Sequence, residues 1–224
     1  PYLTGYHAMP LERLTMLVVP RDADAVLVVP GLEAPRVTEQ PGVFSLLPWS
    51  ELENPIEIVA RLAAGSTVAA IGDQTWSRFL VDLLPLMEGT QFRRATPIVG
   101  PMRSVKDDRE INALRLASEA VDRIAFELQA GRIPLVGRTE AEVSADLSAR
   151  ILAEGHQVVN FAIVAAGENA ASPHHHPGRR VIRAGEVVLC DFGGTMDGYC
   201  SDITRCVSLG PPPDDVRRAY DVLH

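Results

Sequence analysis

Apolar positions along the chain fall into two textures that meet near residue 97. In the first, short β-branched runs alternate with helical stripes. Residues 14–19 (Leu-Thr-Met-Leu-Val-Val) and 25–29 (Ala-Val-Leu-Val-Val) are each stopped by a proline, Pro20 and Pro30. The charged Arg-Asp-Ala-Asp stretch between them is a turn signal, so the pair predicts a hairpin. Residues 56–64 carry apolar side chains at helical spacing and end before Gly65, a C-terminal stop. Residues 67–71 predict a further strand, and 74–84 a second amphipathic helix closed near Pro85. Two prolines and a glycine within residues 96–101 predict a linker.

Beyond it the pattern becomes two helices and then strands. Residues 107–129 predict a long helix, with Asp107 and Asp108 suited to its N-terminus and Ile111, Leu114, Ala117, Val121, Ile124 and Leu128 forming one stripe. A loop follows over 131–137. Thr139-Glu-Ala-Glu142 is a capping box opening a helix to about Glu154, which Gly155 ends. Strands are predicted at 161–164, 187–191, 198–201 and 204–208. The expected organisation is therefore an α/β domain over 1–97 and an α+β domain over 98–224. Pro1 opens the sequence where a methionine would stand, and from Tyr220 to His224 it reads as the opening of a helix. The expectation is a piece of a longer protein, its second domain incomplete.

Composition narrows the function classes. The 224 residues are 46% apolar and 22% charged, which excludes a disordered chain. No apolar run approaches the ~18 residues of a membrane span. Asp+Glu 29 against Lys+Arg 21 gives a net charge of -8, which argues against nucleic acid as the main partner. With no basic-plus-apolar leader visible, a cytoplasmic location is expected. Cys190, Cys200 and Cys206 show no C-x-x-C spacing, so neither a zinc knuckle nor a redox pair is indicated, and reduced, buried thiols are the expectation.

The chemistry concentrates in residues 187–205, two strand-like runs around a Gly-rich turn. If the turn centres on Met196-Asp197, Asp191 falls opposite Asp202; centred on Asp197-Gly198, the two become diagonal neighbours on one face. A one-residue change in loop parity would put them on opposite faces. Like charges that close are destabilising unless one carboxylate is protonated or a cation sits between them. A divalent metal is the simpler compensation, though such ions want roughly six ligands and two carboxylates cannot complete a site. The plainer reading is turn chemistry, which suits Asp197-Gly198, with Arg205 pairing one of the other aspartates. A second feature is the loop Ser172-Pro-His-His-His-Pro177. Its imidazoles can exchange protons near neutral pH or bind metal; for His175 and His176 the plainer reading is a solvated surface loop.

These residues carry a family resemblance. Asp191-Phe-Gly-Gly-Thr-Met-Asp-Gly-Tyr-Cys-Ser-Asp202-Ile-Thr-Arg205 resembles the D-x-G-x-x-x-x-G-Y-x-x-D-x-T-R signature of proline-specific metallopeptidases. These are the prolidases (Xaa-Pro dipeptidases) and aminopeptidases P, with the pita-bread fold shared with methionine aminopeptidase and creatinase. Residues 167–174, Tyr2-Leu-Thr-Gly5 and Met102-Arg-Ser-Val-Lys106 resemble supporting elements of that family. The resemblance implies a creatinase/prolidase-type N-terminal domain (1–97) and the first half of a pita-bread catalytic domain (98–224). It implies hydrolysis of the bond preceding proline in short proline-containing peptides, by a homodimer with two divalent metal ions, manganese first, cobalt or zinc as alternatives. Asp191 matches the bidentate ligand of one metal, Asp202 the ligand bridging both, and His174 the histidine contacting substrate. The family's other ligands, a histidine and two glutamates, would follow His224, and neither Glu154, His156 nor His224 lies in a matching motif. The expectation is that the 224-residue chain alone binds metal weakly and is inactive. The alternatives are a creatinase-like hydrolase of C–N bonds without metal, disfavoured by the retained Asp191 and Asp202, and a non-catalytic pita-bread binding module.

Overall fold

The computed structural model describes residues 2–9 and 12–223; Pro1 and His224, on which the reading of the two ends turned, lie outside the described residues. The chain forms two compact units, 1–105 and 106–224.

In the first unit, β1 (Met16–Val18) and β2 (Ala25–Pro30) form the expected antiparallel hairpin, with Leu17 opposite Leu27. A third strand, β3 (Phe44–Trp49), adds parallel to β2. The sequence reading did not include it, and Pro48 lies inside it. A proline is tolerated here because β3 is an edge strand in the order β1-β2-β3, where a missing N–H need face no partner. Helix α1 (Pro55–Leu62) starts on Asn54, whose side chain accepts from the Ile56 amide, and Pro55 occupies the first turn where its lost N–H costs nothing. Ile56, Ile58 and Val59 carry its buried side into a cluster with Leu14, Val28 and Trp49. Strand β4 (Val68–Ile71) is followed by α2 (Ser77–Leu83) and pairs in parallel with β5 (Gln91–Arg94), whose charged composition hid it from pattern reading.

The predicted linker is a helix. α3 (Thr96–Ser104) takes in residues 96–101, and the expected boundary at 97/98 falls inside it. Pro97 sits in the first turn, where helices accept proline, while Pro101 is interior and leaves one carbonyl of the exposed helix without its usual donor.

The second unit opens with α4 (Asp108–Gln129). Asp107 caps it, accepting from the Glu110 amide while Glu110 reaches back to the Asp107 amide. Ala117, Val121, Ile124 and Leu128 of the predicted stripe are buried, but Ile111 at its start is exposed. The Thr139/Glu142 capping box forms as expected and starts α5 (Glu140–Ala153). Strands β6 (Val158–Ala166), β7 (Val187–Met196), β8 (Tyr199–Cys200) and β9 (Ile203–Ser208) make one antiparallel sheet, with β6 and β9 on either side of β7. Val121, Ile124 and Leu128 of α4 and Val143, Leu147 and Ile151 of α5 pack with Val188, Cys190 and Phe192 of β7 and Ile203 of β9. Both helices thus cover the same face of the sheet. α6 (Asp214–Leu223) begins well before Tyr220, where a helix start was expected; its first turn holds Asp214 and Asp215, which suit a helix N-terminus. Among the described residues no helix is long and apolar enough to cross a membrane.

Candidate functional site

The turn between β7 and β8 decides the geometry of the carboxylates. Met196 pairs with Tyr199, leaving Asp197 and Gly198 as a two-residue turn with φ of 49° and 85°. Positive φ at both positions is what a type I′ hairpin turn needs, and it matches the right-handed twist of the strands. The register then runs on unbroken: Phe192 faces Ile203 and Asp191 faces Thr204. Of the two centrings open from sequence, the structure adopts Asp197-Gly198. Asp191 and Asp202 are diagonal neighbours on one face, a relation that typically spaces residues about 7–8 Å.

That face is the one the helices leave open. Cys190 and Phe192 flank Asp191 and point into the core, so Asp191 points the other way and is half-buried. Asp202 is exposed. The Thr204 hydroxyl donates to Asp191 Oδ1 at 2.9 Å. Arg205 pairs with neither aspartate; its guanidinium donates to the Thr204 carbonyl at 2.9 Å and lies 4.0 Å from Asp122 on α4. Pairing with Arg205, the plain explanation for two nearby carboxylates, is therefore not what the fold provides.

Between β8 and β9 the ladder lapses at Ser201 and Asp202 without a change of register, and here two glycines of β7 allow a close approach of the backbone. A Cβ on Gly193 would lie 2.1 Å from the Ser201 carbonyl oxygen, and one on Gly194 would lie 2.5 Å from the Val158 carbonyl oxygen. Ser201 is buried, and its hydroxyl lies 2.8 Å from His156 Nε2 and accepts from the Gly194 amide at 3.2 Å. His156 is itself buried with Nδ1 unpartnered, and burial pushes its pKa below the ordinary histidine value. Sequence reading gave neither residue a role, because only the sheet brings His156 and Ser201 together.

The donor set of Asp191 and Asp202, with the Thr204 hydroxyl, is all oxygen and suits a hard divalent cation. It is also short. No group of three or more His, Cys, Asp or Glu among the described residues is arranged to hold a metal. The residues present fit one wall of a metal centre.

His174 lies in the loop between β6 and β7. It is exposed, has φ of 55°, and makes no hydrogen bond or ion pair with either aspartate among the described residues. His175 departs from the solvated-loop reading. Its Nε2 lies 2.9 Å from the carboxylate of Glu140, a residue with 0% exposure. Glu140 also accepts from the Ala166 amide at 2.9 Å, from Asn169 Nδ2 at 3.0 and 3.2 Å, and from the Gly178 amide at 3.4 Å. Burial alone would raise its pKa; these donors outweigh burial and hold the carboxyl below the usual carboxylate range. In the sequence Glu140 shows only as the first residue of a helix. Its donors lie at least 26 positions away, so no local signal marks it.

A model of metallopeptidase family M24 matches residues 111–224, and a model of the creatinase/prolidase N-terminal domain matches residues 1–105. The Mycobacterium tuberculosis protein named "Probable dipeptidase PepE" is 38% identical over 229 aligned positions, covering 99% of this chain and 60% of that protein. The crystal structure of dipeptidase PepE from Mycobacterium ulcerans superposes with a TM-score of 0.90 at 36% identity, over 99% of this chain and 60% of that one. That of a recombinant prolidase from Thermococcus sibiricus gives 0.87 at 32% identity, over 99% and 61%. The chain thus spans about 60% of the length of the relatives it matches.

Proposed function

Because the chain belongs to metallopeptidase family M24 and joins a creatinase/prolidase N-terminal domain to a pita-bread domain, we propose that it serves a metal-dependent peptidase cleaving the bond before proline in short peptides. The observation that carries this reading is the placement of Asp191 and Asp202 on one open sheet face, with Arg205 turned to Asp122 and the Thr204 carbonyl rather than to either of them. Two carboxylates on one face are oxygen donors that divalent cations can hold between them. Divalent cations held there supply Lewis-acid polarisation of the scissile carbonyl and a water acidic enough to attack at neutral pH.

The chain's own residues supply the rest. Asp191, oriented by the Thr204 hydroxyl, is the fixed ligand. Asp202, which follows the buried Ser201 and is the more accessible, would be the second ligand, in the family's pattern the one shared by both ions. His174, exposed at a left-handed backbone position, contacts the substrate. Manganese is the proposed ion and the working unit a homodimer. Three unpaired thiols suit the reducing cytoplasm in which we place it. With two carboxylate ligands, residues 1–224 alone bind cations weakly and do not turn over peptide.

Calorimetric titration of Mn²⁺ into the chain tests this. Asp191→Asn and Asp202→Asn should each weaken binding about 10-fold or more, without loss of secondary structure. Equal binding by wild type and both variants would remove the metal site. Hydrolysis of Xaa-Pro dipeptides should appear in the protein made from the complete reading frame; full metal-dependent cleavage by residues 1–224 alone would overturn the assignment of inactivity.

A further inference from the structure

We propose that Glu140 and His175 form a positioning pair that clamps the loop over residues 167–178 and so presents His174 to the substrate. The inference rests on the peptidase reading for what His174 does, and on the geometry below for how it is held.

One buried carboxylate ties both ends and the middle of the loop. Ala166 donates to Glu140 from the end of β6, Gly178 donates from the far side of the loop, and Asn169 and His175 donate from within it. The loop returns the contact through its carbonyls. Gly178 and Arg180 accept, at 3.0 Å each, from the amides of Ala141 and Glu140, two of the donors that the start of α5 would otherwise leave unpaired. Arg180 adds a brace, donating to both Glu168 and Glu186 at 2.8 Å.

An ionised acid with no exposure is an unusual choice for a merely structural bolt, because a carboxylate is costly to bury unless its oxygens are well supplied with donors. Here one donor is an imidazole ring whose neighbour is the residue of interest. His174 and His175 are adjacent but oppositely disposed. His175 keeps 19% of its side chain exposed and is fixed by Glu140, whereas His174 is open to solvent with φ of 55°. Left-handed backbone is uncommon for a non-glycine residue and persists where surrounding contacts enforce it, often beside ligands. The clamp is what enforces it: with His175 pinned inward, the backbone reversal at His174 turns the preceding imidazole outward. His175 is therefore a positioning residue, acting on substrate only through His174.

The test uses His175→Ala, which removes the tether at a partly exposed position, together with the conservative His175→Gln, whose amide can still donate to Glu140, and Glu140→Gln. In the protein made from the complete reading frame and loaded with Mn²⁺, His175→Ala should lower kcat on an Xaa-Pro dipeptide by about 10- to 100-fold, and His175→Gln should recover most of it. Manganese affinity should stay within about 2-fold of wild type, and amide exchange over residues 166–178 should quicken in His175→Ala and Glu140→Gln. Unchanged kcat in His175→Ala overturns the pair, as does a parallel fall in metal affinity, which marks a general structural defect. If the wild-type protein leaves Xaa-Pro peptides intact, the peptidase reading fails by itself. Exchange in His175→Ala then decides the clamp: acceleration upholds it and wild-type protection refutes it.

Discussion

Replacing Gly193 by alanine probes the close backbone approach beside Asp202. The added Cβ would lie 2.1 Å from the Ser201 carbonyl oxygen and 2.9 Å from its carbon, with Phe161 Cζ at 3.1 Å. The first two are backbone atoms and cannot swing aside as a flexible side chain would. A tolerable contact therefore needs a shift of about 1 Å between neighbouring strands, in an interior packed too tightly to absorb it freely. The Ser201 amide, which donates to the Gly194 carbonyl at 2.9 Å, lies on the segment that must move. Overpacking costs about 1–3 kcal/mol, and a buried hydrogen bond left unmade about 1–3 kcal/mol more, so a loss of about 2–6 kcal/mol is expected. That is a large share of the ~5–15 kcal/mol typical of a domain. For a unit of this size, at about 4 °C per kcal/mol, it lowers Tm by about 8–24 °C. Urea and thermal unfolding followed by far-UV circular dichroism measure it. Gly72→Ala, where the new Cβ meets only Thr75 Oγ1 at 3.5 Å, should stay within about 1 kcal/mol. A Gly193→Ala loss below about 1 kcal/mol would show that the strands part easily at this close approach.

Three further outcomes follow from particular residues. Burial depresses the His156 pKa in the folded state, so the unfolded chain takes up its proton first as pH falls. Stability is complete above the ordinary value of 6.5 and declines below it, and His156→Leu should flatten that part of a urea-midpoint profile. Glu186 is held down to about 2 from 4.5 by hydrogen bonds from Arg180 and the Arg183 amide, the former through both guanidinium nitrogens. Its contribution is present above pH 4.5 and lost as pH falls from 4.5 toward 2; acid unfolding of Glu186→Gln should show a smaller proton uptake in that window, and an unchanged profile would mean the pair contributes nothing. Asp107→Ala removes one half of the α4 capping box and should cost about 1 kcal/mol in chemical denaturation, against no change for a surface site without a cap.

Much of the second unit was legible residue by residue. Both capping boxes announced their helices because the signal lies within four positions, and the α4 stripe announced its buried side because helical period is local. The hairpin was legible as a hairpin for the same reason. Reading failed where a local rule was overruled. Pro48 and the charges of β5 argued against strands, yet at an edge the pairing partner supplies the missing preference. The prolines of residues 96–101 argued for a linker, yet one stands in a first turn and the other lies on an exposed helix. His175 read as solvated because its partner Glu140 lies 35 positions away.

The amino-acid sequence by itself determined most of the elements, though not β3, β5 or α3, and the signature from Asp191 to Arg205, and with it the family. Those rest on short-range chemistry: capping, periodicity, and the spacing of particular side chains along one hairpin. Only the tertiary structure decided which face the carboxylates share. The Asp197-Gly198 turn selected the register, and α4 and α5 covered the opposite side of the sheet, leaving Asp191 and Asp202 on the open one. It also decided what stands behind them. His156 beside Ser201, and Glu140 beneath the histidine loop, are contacts between residues tens of positions apart. No local period or motif encodes such meetings; they exist only because burying the sheet's apolar face closes the chain on itself.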